Sequence, residues 1–328
     1  MQVVIPFLIA AFLWIGGMSP AHAESFDAFC RHLIAQAPQY GLSGDFVGNQ
    51  LDGVGPHKRI IELDRAQSGQ HGQSRRLTWL EYSTKIVTPT RIRQGRAMMA
   101  EHHTLLNQVS ARYGVPPQYI VALWGLETSY GQNTGGFDVI QALTTLAWEG
   151  RRRQMFTDEL MKAMKILKDG HIVRAHFKGS WAGAMGQNQF MPSSFFRYAV
   201  DWTGDGHRDI WRSKGDVFAS TAHYLKQEGW NSAIRWGREV RLTRAIPTSL
   251  TGLDTQKSLQ FWADYGVIAA DGKPLPIENI QSSLLIPDGL DGPVFLVYDN
   301  FRTIMKWNRS TNFALSVGHL ADALANTN

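Results

Sequence analysis

The sequence predicts a mainly α (α+β) protein, in which a small β-containing part is attached to a helical body. Apolar residues recur at helical spacing through most of the chain, whereas short β-branched and aromatic runs lie between Gly and Pro residues in only two places. The chain has 328 residues, of which 44% are apolar. A chain of this length and composition can bury a sizeable core, which excludes a disordered or fibrous class.

Helical periodicity justifies most of the elements in chain order. It predicts helices over residues 26–37 and 92–113, and the Gly-Val-Pro-Pro segment at 114–117 ends the second of these and begins another. Helices are expected to continue to about residue 230. A last helix is predicted over residues 311–324, again from an apolar stripe.

Two segments carry the short runs that are typical of strands. The first is 45–64, with an Arg-Ile-Ile-Glu-Leu run at 59–63, and the second is 282–304, with apolar runs at 284–286 and 294–298. Gly and Pro residues punctuate the second segment. Both are therefore expected to supply strands of a small sheet.

The charge balance favours an acidic partner. Lys and Arg number 33 and Asp and Glu number 28, so the net charge is +5, which suits nucleic acid, an anionic membrane or an anionic wall polymer. An arginine run at 151–153 can steer such a polymer, although such runs are more often solvated faces. No nucleic-acid-binding motif is present, and the sequence also lacks HExxH, GxSxG, phosphate-loop and dinucleotide-binding patterns.

Residues 1–23 have the features of a secretory signal. An apolar run too short to cross a bilayer precedes Ala21-His22-Ala23, a small-residue cleavage pattern, so cleavage is expected after Ala23. A short membrane anchor and a buried first helix are the alternatives, because no Lys or Arg precedes the run. The single cysteine, Cys30, excludes an intramolecular disulfide and multi-cysteine zinc sites. Because no cysteine stands at the cleavage point, nothing indicates a lipid anchor.

The segment at 116–136 is the most informative for chemistry. A helix is expected to begin at its Pro-Pro pair, and Glu127 falls on the same helical stripe as Ile120 and Leu123. Desolvation on an apolar stripe favours the protonated form of a carboxyl group, so Glu127 can act as a proton donor near neutral pH. A Ser-Tyr-Gly break and a Gly-Gly pair follow, as an acid in a cleft requires. The alternative is a structural Glu paired with Lys or Arg.

A second segment, residues 179–194, is rich in small residues and neutral amides. Its Gly and Ala residues allow close backbone approach, while Ser180 and the amides at 187–189 supply donors and acceptors suited to hydroxyl and acetamido groups. Tight helix packing through Gly and Ala is the alternative interpretation.

A third segment, residues 201–216, matches part of a calcium loop. The donors at its positions 1, 3, 5 and 7 are Asp201, Thr203, Asp205 and the carbonyl of His207. The twelfth position, where a bidentate Glu is expected, is Arg212, so the last acid would have to be Asp209 or Asp216. The alternative is an Asx-turn loop held by its own hydrogen bonds.

With these motifs in place, the sequence resembles the lytic murein transglycosylase B family of bacterial wall enzymes. The matching strings are GLETSYG at 125–131, GAMGQNQFMPSS at 183–194 and TGDGHRDIW at 203–211, and the resemblance extends over residues 25–325. Their order and spacing together make the match specific.

The resemblance implies a lysozyme-like helical core domain over residues 99–235. It also implies a helical and β-containing flanking region at 24–98 and a β-containing segment with a closing helix at 236–328. The implied activity is nonhydrolytic cleavage of the β-1,4 bond between N-acetylmuramic acid and N-acetylglucosamine, leaving a 1,6-anhydromuramoyl end. The implied partner is peptidoglycan in the periplasm. The protein is expected to be a monomer that joins wall-synthesis or secretion complexes, and to need no cofactor beyond a structural calcium ion.

Residue by residue, the resemblance assigns Glu127 as the single catalytic acid. Six residues match positions of the family's sugar cleft: Tyr82, Ser180, Gln189, Tyr224, Trp307 and Phe313. Four match its metal loop: Asp201, Thr203, Asp205 and His207. The sequence departs from the family at Trp307 and Phe313, which stand where tyrosines are expected, and in the loop before Asp216, which is one residue longer.

Only one carboxylate stands out, whereas ordinary glycosidases use two. A single acid suits a reaction in which the substrate supplies its own nucleophile. Two alternatives stay open: a hydrolytic muramidase that cuts the same bond with water, and a noncatalytic peptidoglycan-binding module.

Overall fold

The structure is a computed structural model that describes residues 24–67 and 77–325. The predicted signal at residues 1–23 therefore lies outside the described residues. The helices are α1 (Phe26–Gln36), α2 (Gly44–Leu51), α3 (Lys58–Gln67), α4 (Trp79–Ile86), α5 (Pro89–Glu101), α6 (His103–Tyr113), α7 (Pro117–Thr128), α8 (Val139–Glu149), α9 (Arg153–Lys168), α10 (Pro192–Tyr198), α11 (Lys214–Gln227), α12 (Leu259–Asp264), α13 (Asp299–Trp307) and α14 (Thr311–Ala325).

The strands of the described residues form two sheets. They are β1 (Phe137–Asp138), β2 (Lys178–Gly179), β3 (Gly237–Leu242), β4 (Lys257–Ser258), β5 (Val267–Ala269), β6 (Gln281–Leu285) and β7 (Val294–Val297). β1 and β2 pair with each other. The other five follow the order β4-β6-β7-β3-β5, and every neighbouring pair is antiparallel.

The described chain divides into two compact units. The first contains residues 24–67 and 127–220, and the second contains residues 77–126 and 221–325. In the first unit α8 packs against α9, α3 packs against α8, and α1 packs against α2. Phe156 and Leu160 on α9 are fully enclosed in this core.

A buried ion cluster fastens α3 within the first unit. Asp64 is 1% exposed, and its carboxylate accepts hydrogen bonds from Arg151 Nε at 2.9 Å and Arg152 at 2.7 Å. A buried carboxylate needs such partners, since desolvation would otherwise cost several kcal/mol. Arg153 pairs with Glu24 at 2.8 Å. The arginine run therefore holds the unit together rather than forming a solvated face.

The second unit is organised around the five-stranded sheet. Its apolar core includes Trp262 on α12 and Leu296 on β7. In the same unit α13 and α4 both pack against α14. Helix α4 begins with a capping box between Thr78 and Glu81, and both carboxylate oxygens of Asp288 accept its first free backbone N–H groups. These contacts satisfy donors that a helix start leaves unpaired.

Two predicted elements are wrong. Residues 45–64 form most of α2 and α3 rather than strands. The buried residues of α3, Ile60 and Asp64, are one helical turn apart, and Asp64 is an ion-paired acid. Because one of these two buried residues is charged, the sequence of α3 shows no helical periodicity of apolar residues. The helix predicted over residues 92–113 is two helices, which meet at His102.

The remaining element predictions are confirmed. Helices α1 and α14 occupy the predicted ranges, and β6 and β7 supply the strands expected near the C-terminus. The mainly α (α+β) class is confirmed as well. The domain boundaries expected near residues 98 and 235 stay predictions. The two compact units do not test them, because each unit combines two separate stretches of the chain. Within residues 24–67 and 77–325, no helix combines the length and apolar character needed to span a bilayer.

Candidate active site

Glu127 lies in the last turn of α7 and is 9% exposed. The prediction of a carboxylate among apolar residues is confirmed, although the helix is buried on every side from Tyr119 to Thr128 rather than along one stripe. A helix that is apolar all round is typical of a protein interior. Glu127 is thus the acid of a buried helix and stands directly before its end.

The helix ends in a sharp left-handed turn. Ser129, Tyr130 and Gly131 have φ values of +50°, +61° and +83°. A left-handed conformation costs a non-glycine residue on the order of 1–3 kcal/mol, and such strain persists only where the surroundings hold it. The N–H of Asn133 donates to the carbonyl of Thr128 at 2.9 Å, and the N–H of Gly131 donates to the Thr128 hydroxyl at 3.0 Å. These bonds fix the turn that follows Glu127.

The loop after this turn approaches β2 backbone to backbone. Gly135 has a φ of +94°, and a Cβ there would lie 2.1 Å from the carbonyl oxygen of Gly179. Only glycine fits at such a distance. Immediately afterwards Phe137 pairs with Gly179 and Asp138 pairs with Lys178. The sequence predicted close approach for the small residues of the 179–194 segment and only a break at Gly135, so the tight contact at Gly135 is an addition from the structure.

Ser180 and Gln189 flank this approach. The Ser180 hydroxyl accepts the N–H groups of Ala182 at 3.3 Å and Ala184 at 3.0 Å, which folds the segment back on itself. The side-chain amide of Gln189 donates to the carbonyls of Thr134 at 3.1 Å and Gly186 at 2.9 Å, so it contacts the loop that follows Glu127 and donates its N–H groups inside the protein. The structure thus brings the segments of Glu127, Ser180 and Gln189 together within the first unit.

The two neighbouring amides are used inside the protein. The Gln187 amide donates to the carbonyl of Trp211 at 2.7 Å, and the Asn188 amide donates to the carbonyl of Val217 at 2.8 Å. Both side chains are buried. The two amides therefore hold the fold together, and the prediction that they bind sugar hydroxyls is replaced. The sequence could not reveal this role, because both acceptors are backbone carbonyls of a distant segment.

The predicted metal loop is held by its own hydrogen bonds. The carboxylate of Asp201 accepts the backbone N–H groups of Gly204 at 2.7 Å and Gly206 at 2.8 Å. Asp205 accepts the N–H of His207 at 2.8 Å. These are Asx-turn contacts, and they favour the alternative of a loop held by its own hydrogen bonds. Asp201 and Asp205 still carry carboxylate oxygens that can ligate a metal ion.

The acids after the loop do not complete a calcium site. Asp216 is fully buried, and its two oxygens accept the N–H groups of Trp202 at 3.0 Å and Asp209 at 2.6 Å. Burial raises the pKa of the Asp216 carboxyl, and these donors offset part of that rise. Asp209 in turn accepts the N–H of Arg212 at 2.8 Å. In the described part of the chain no three His, Cys, Asp or Glu residues group around a metal position. The loop offers only part of the usual calcium coordination.

The predicted cleft aromatics belong to the second unit. Tyr224 on α11 and Trp307 at the end of α13 lie in edge-to-face contact, with ring centroids 4.6 Å apart. Tyr82 is partly exposed on α4. Phe313 on α14 is 8% exposed, so most of its ring packs inside the unit. Two of the four aromatic side chains are therefore joined in one pair.

The sequence profile of the Transglycosylase SLT domain family matches residues 25–322. The chain belongs to this family. The predicted resemblance to lytic murein transglycosylase B is thereby confirmed, and so is the lysozyme-like class of fold.

Relatives of this family agree in sequence and in structure. The membrane-bound lytic murein transglycosylase B of Escherichia coli (strain K12) is 34% identical over 248 residues, which are 75% of this chain and 67% of the relative. The crystal structure of SltB3 from Pseudomonas aeruginosa in complex with NAG-NAM-pentapeptide is similar with a TM-score of 0.87 at 43% identity, covering 92% of this chain and 80% of that one. SltB3 has also been solved with NAG-anhNAM-pentapeptide.

A third relative has been solved with calcium. The Escherichia coli lytic transglycosylase Slt35 in complex with calcium is similar with a TM-score of 0.77 at 31% identity, covering 90% of this chain and 92% of that one. A similar protein has thus been solved with calcium, and in this chain the loop at 201–216 offers part of a calcium coordination shell.

Proposed function

We propose that the protein is a peptidoglycan lytic transglycosylase. It cleaves the β-1,4 bond between N-acetylmuramic acid and N-acetylglucosamine without water and leaves a 1,6-anhydromuramoyl end. The observation that carries this proposal is the buried Glu127 at the end of α7, followed by a strained turn and a glycine loop. The relative that was solved with both NAG-NAM-pentapeptide and NAG-anhNAM-pentapeptide supports the same substrate and product.

Glu127 serves first as an acid. To act as an acid the side chain must carry a proton when the glycan binds, and burial of a carboxyl group favours that form. It donates this proton to the glycosidic oxygen, the bond from that oxygen to C1 of the muramoyl residue breaks, and the N-acetylglucosamine end leaves as an alcohol.

The same carboxylate then serves as a base. It accepts the proton of the muramoyl C6 hydroxyl, whose oxygen attacks C1 and closes the 1,6-anhydro ring. Glu127 is protonated again at the end, and no water is consumed. Because the nucleophile belongs to the substrate, its attack is intramolecular and gains the advantage of proximity. A second carboxylate is therefore not required.

The other site residues hold the glycan. We place Ser180 and Gln189 at the sugar subsites, because Gly135 in the loop after Glu127 packs against the backbone of Gly179 and Ser180, and Gln189 donates to Thr134 in the same loop. The partly exposed Tyr82 and the Tyr224–Trp307 pair present aromatic faces on which sugar rings can pack. Phe313 contributes at most the edge of its ring, since it is almost enclosed.

The setting of the reaction follows from the substrate. We propose that the chain is exported after cleavage at Ala23 and acts on the wall in the periplasm as a monomer, within wall-synthesis or secretion complexes. A calcium ion at Asp201, Thr203, Asp205 and the His207 carbonyl would stabilise the loop and take no part in the chemistry.

Replacement of Glu127 by Gln tests the assignment. Glu127→Gln keeps the size of the side chain and removes the transferable proton, so turnover of purified sacculi should fall to background while glycan binding persists. Glu62→Gln, at an exposed position on α3 of the same unit, is the matched control and should retain full activity. Substantial cleavage by Glu127→Gln would show that another group is the acid.

A further inference from the structure

We infer that Thr128 and Gln187 are positioning residues, which hold Glu127 at the place where it can reach the glycosidic oxygen. The inference rests on the proposed function of Glu127. Neither side chain needs to touch the glycan, because both act through the turn that ends α7.

Gln187 forms hydrogen bonds to three other segments of the first unit. Its backbone N–H donates to the carbonyl of Ile210 at 2.8 Å, and its side-chain N–H donates to the carbonyl of Trp211 at 2.7 Å. Its side-chain oxygen accepts from Lys214 Nζ at 2.9 Å, and its backbone carbonyl accepts from the Thr128 hydroxyl at 3.1 Å. The residue is 4% exposed, so water does not compete strongly for these bonds.

Thr128 links Gln187 to the end of α7, the helix that contains Glu127. Its hydroxyl donates to the Gln187 carbonyl and accepts the N–H of Gly131, which uses the hydroxyl as donor and as acceptor at once. The side chain is fully buried. Thr128 is the residue after Glu127, so a shift of its side chain moves the Glu127 backbone directly.

The left-handed turn explains why an anchor is needed. Two of its residues, Ser129 and Tyr130, are not glycines and would relax to an ordinary conformation if nothing held them. Gly131 also fits closely against Gln187, since a Cβ at Gly131 would lie 2.4 Å from the Gln187 side-chain oxygen. Gln187 therefore supports the turn from the outside, and Thr128 supports it from the helix end.

The same network reaches the predicted metal loop. Ile210 and Trp211 are the tenth and eleventh residues of that loop, and Lys214 begins α11. A carboxyl group that must give and take a proton on two different oxygens tolerates little displacement, since an error of 1 Å can cost about 100-fold in rate. The loop thus supports catalysis through hydrogen bonds to Gln187.

A pair of substitutions at Thr128 tests the inference. Thr128→Val keeps the shape and removes both hydrogen bonds, whereas Thr128→Ser keeps the hydroxyl. We expect kcat to fall about 10- to 100-fold in Thr128→Val with KM and binding to sacculi nearly unchanged. Thr128→Ser should restore kcat to within about threefold of the unaltered protein. Thr144→Val is the control, because Thr144 is another buried threonine, and its hydroxyl bonds only the carbonyl of Ile140 in its own helix at 2.7 Å.

A second variant approaches the network from the other side. Gln187→Met removes the bonds to Trp211 and Lys214 and should lower kcat in the same way in protein whose circular dichroism remains native. A kcat of Thr128→Val within threefold of Thr128→Ser would overturn the inference, as would equal losses in Thr128→Val and Thr144→Val. Failure of the proposed function gives a different result, because the unaltered protein would then release no anhydro ends.

Discussion

His319 should make the free energy of unfolding fall as the pH drops below neutral. The side chain lies on α14 among Trp79, Trp236 and Phe295, with ring centroids 5.1 to 5.5 Å away. Burial in this aromatic surrounding, together with the charge of Arg235, lowers the pKa of His319 from 6.5 to about 4. The folded protein therefore disfavours the charged imidazole, which the unfolded chain accepts freely.

The sign and size follow from linkage. Above pH 6.5 the imidazole is neutral in both states and costs nothing. As the pH falls from 6.5 towards 4 the unfolded chain binds the proton first, so stability is lost over this window. The full difference corresponds to about 3 kcal/mol, and about 2 kcal/mol of it is already lost at pH 5.

Urea unfolding of His319→Phe at pH 7 and pH 5 measures this term. Phenylalanine fits an aromatic surrounding and does not titrate. The loss of unfolding free energy from pH 7 to pH 5 should therefore be about 2 kcal/mol smaller in the variant than in the unaltered protein. Asp322, on the same helix, has a raised pKa that acts in the opposite direction, but it is present in both proteins and cancels in the comparison. His103→Phe, at an exposed position on α6, is the control. A difference between His319→Phe and the unaltered protein that is the same at both pH values would refute the reasoning.

Two further predictions concern the loops. Calcium about tenfold above its Kd should raise the Tm by about 2 to 4 °C, and the rise should disappear in Asp205→Ala; an unchanged Tm at millimolar calcium would show that the loop needs no ion. Gly135→Ala should lose at least about 2 kcal/mol of stability in thermal or urea unfolding, because its Cβ would lie 2.1 Å from the Gly179 carbonyl oxygen. Gly136→Ala, which has nothing within 4 Å of its Cβ, should be nearly neutral, and equal losses in the two variants would contradict this account.

The sequence predicted best where one element carried its own pattern. The apolar stripes of α1 and α14 and the β-branched runs of β6 and β7 are local signals, and all four elements are where they were expected. Helix α3 was missed because one of its two buried positions is Asp64. The arginines that make Asp64 a core residue lie 87 and 88 positions away, and no local pattern encodes that pairing.

The candidate site divides in the same way. Glu127 could be found from the sequence because it is the acidic residue of an otherwise apolar helix. The role of Gln187 could not, since its amide lies among others that also suit a sugar. Only the fold shows that its backbone carbonyl accepts a hydrogen bond from the hydroxyl of Thr128, which lies 59 positions earlier in the chain. The incomplete calcium loop was visible in advance at Arg212, whereas the use of Asp216 as an internal acceptor was not.

The chemical form of the glycan ends tests the central claim most directly. Mass spectrometry of muropeptides released from purified sacculi distinguishes a 1,6-anhydromuramoyl end from a reducing end, which is heavier by one water. We predict anhydro ends from the unaltered protein and none above background from Glu127→Gln. Reducing ends as the main product would contradict the account, because water rather than the C6 hydroxyl would then be the nucleophile.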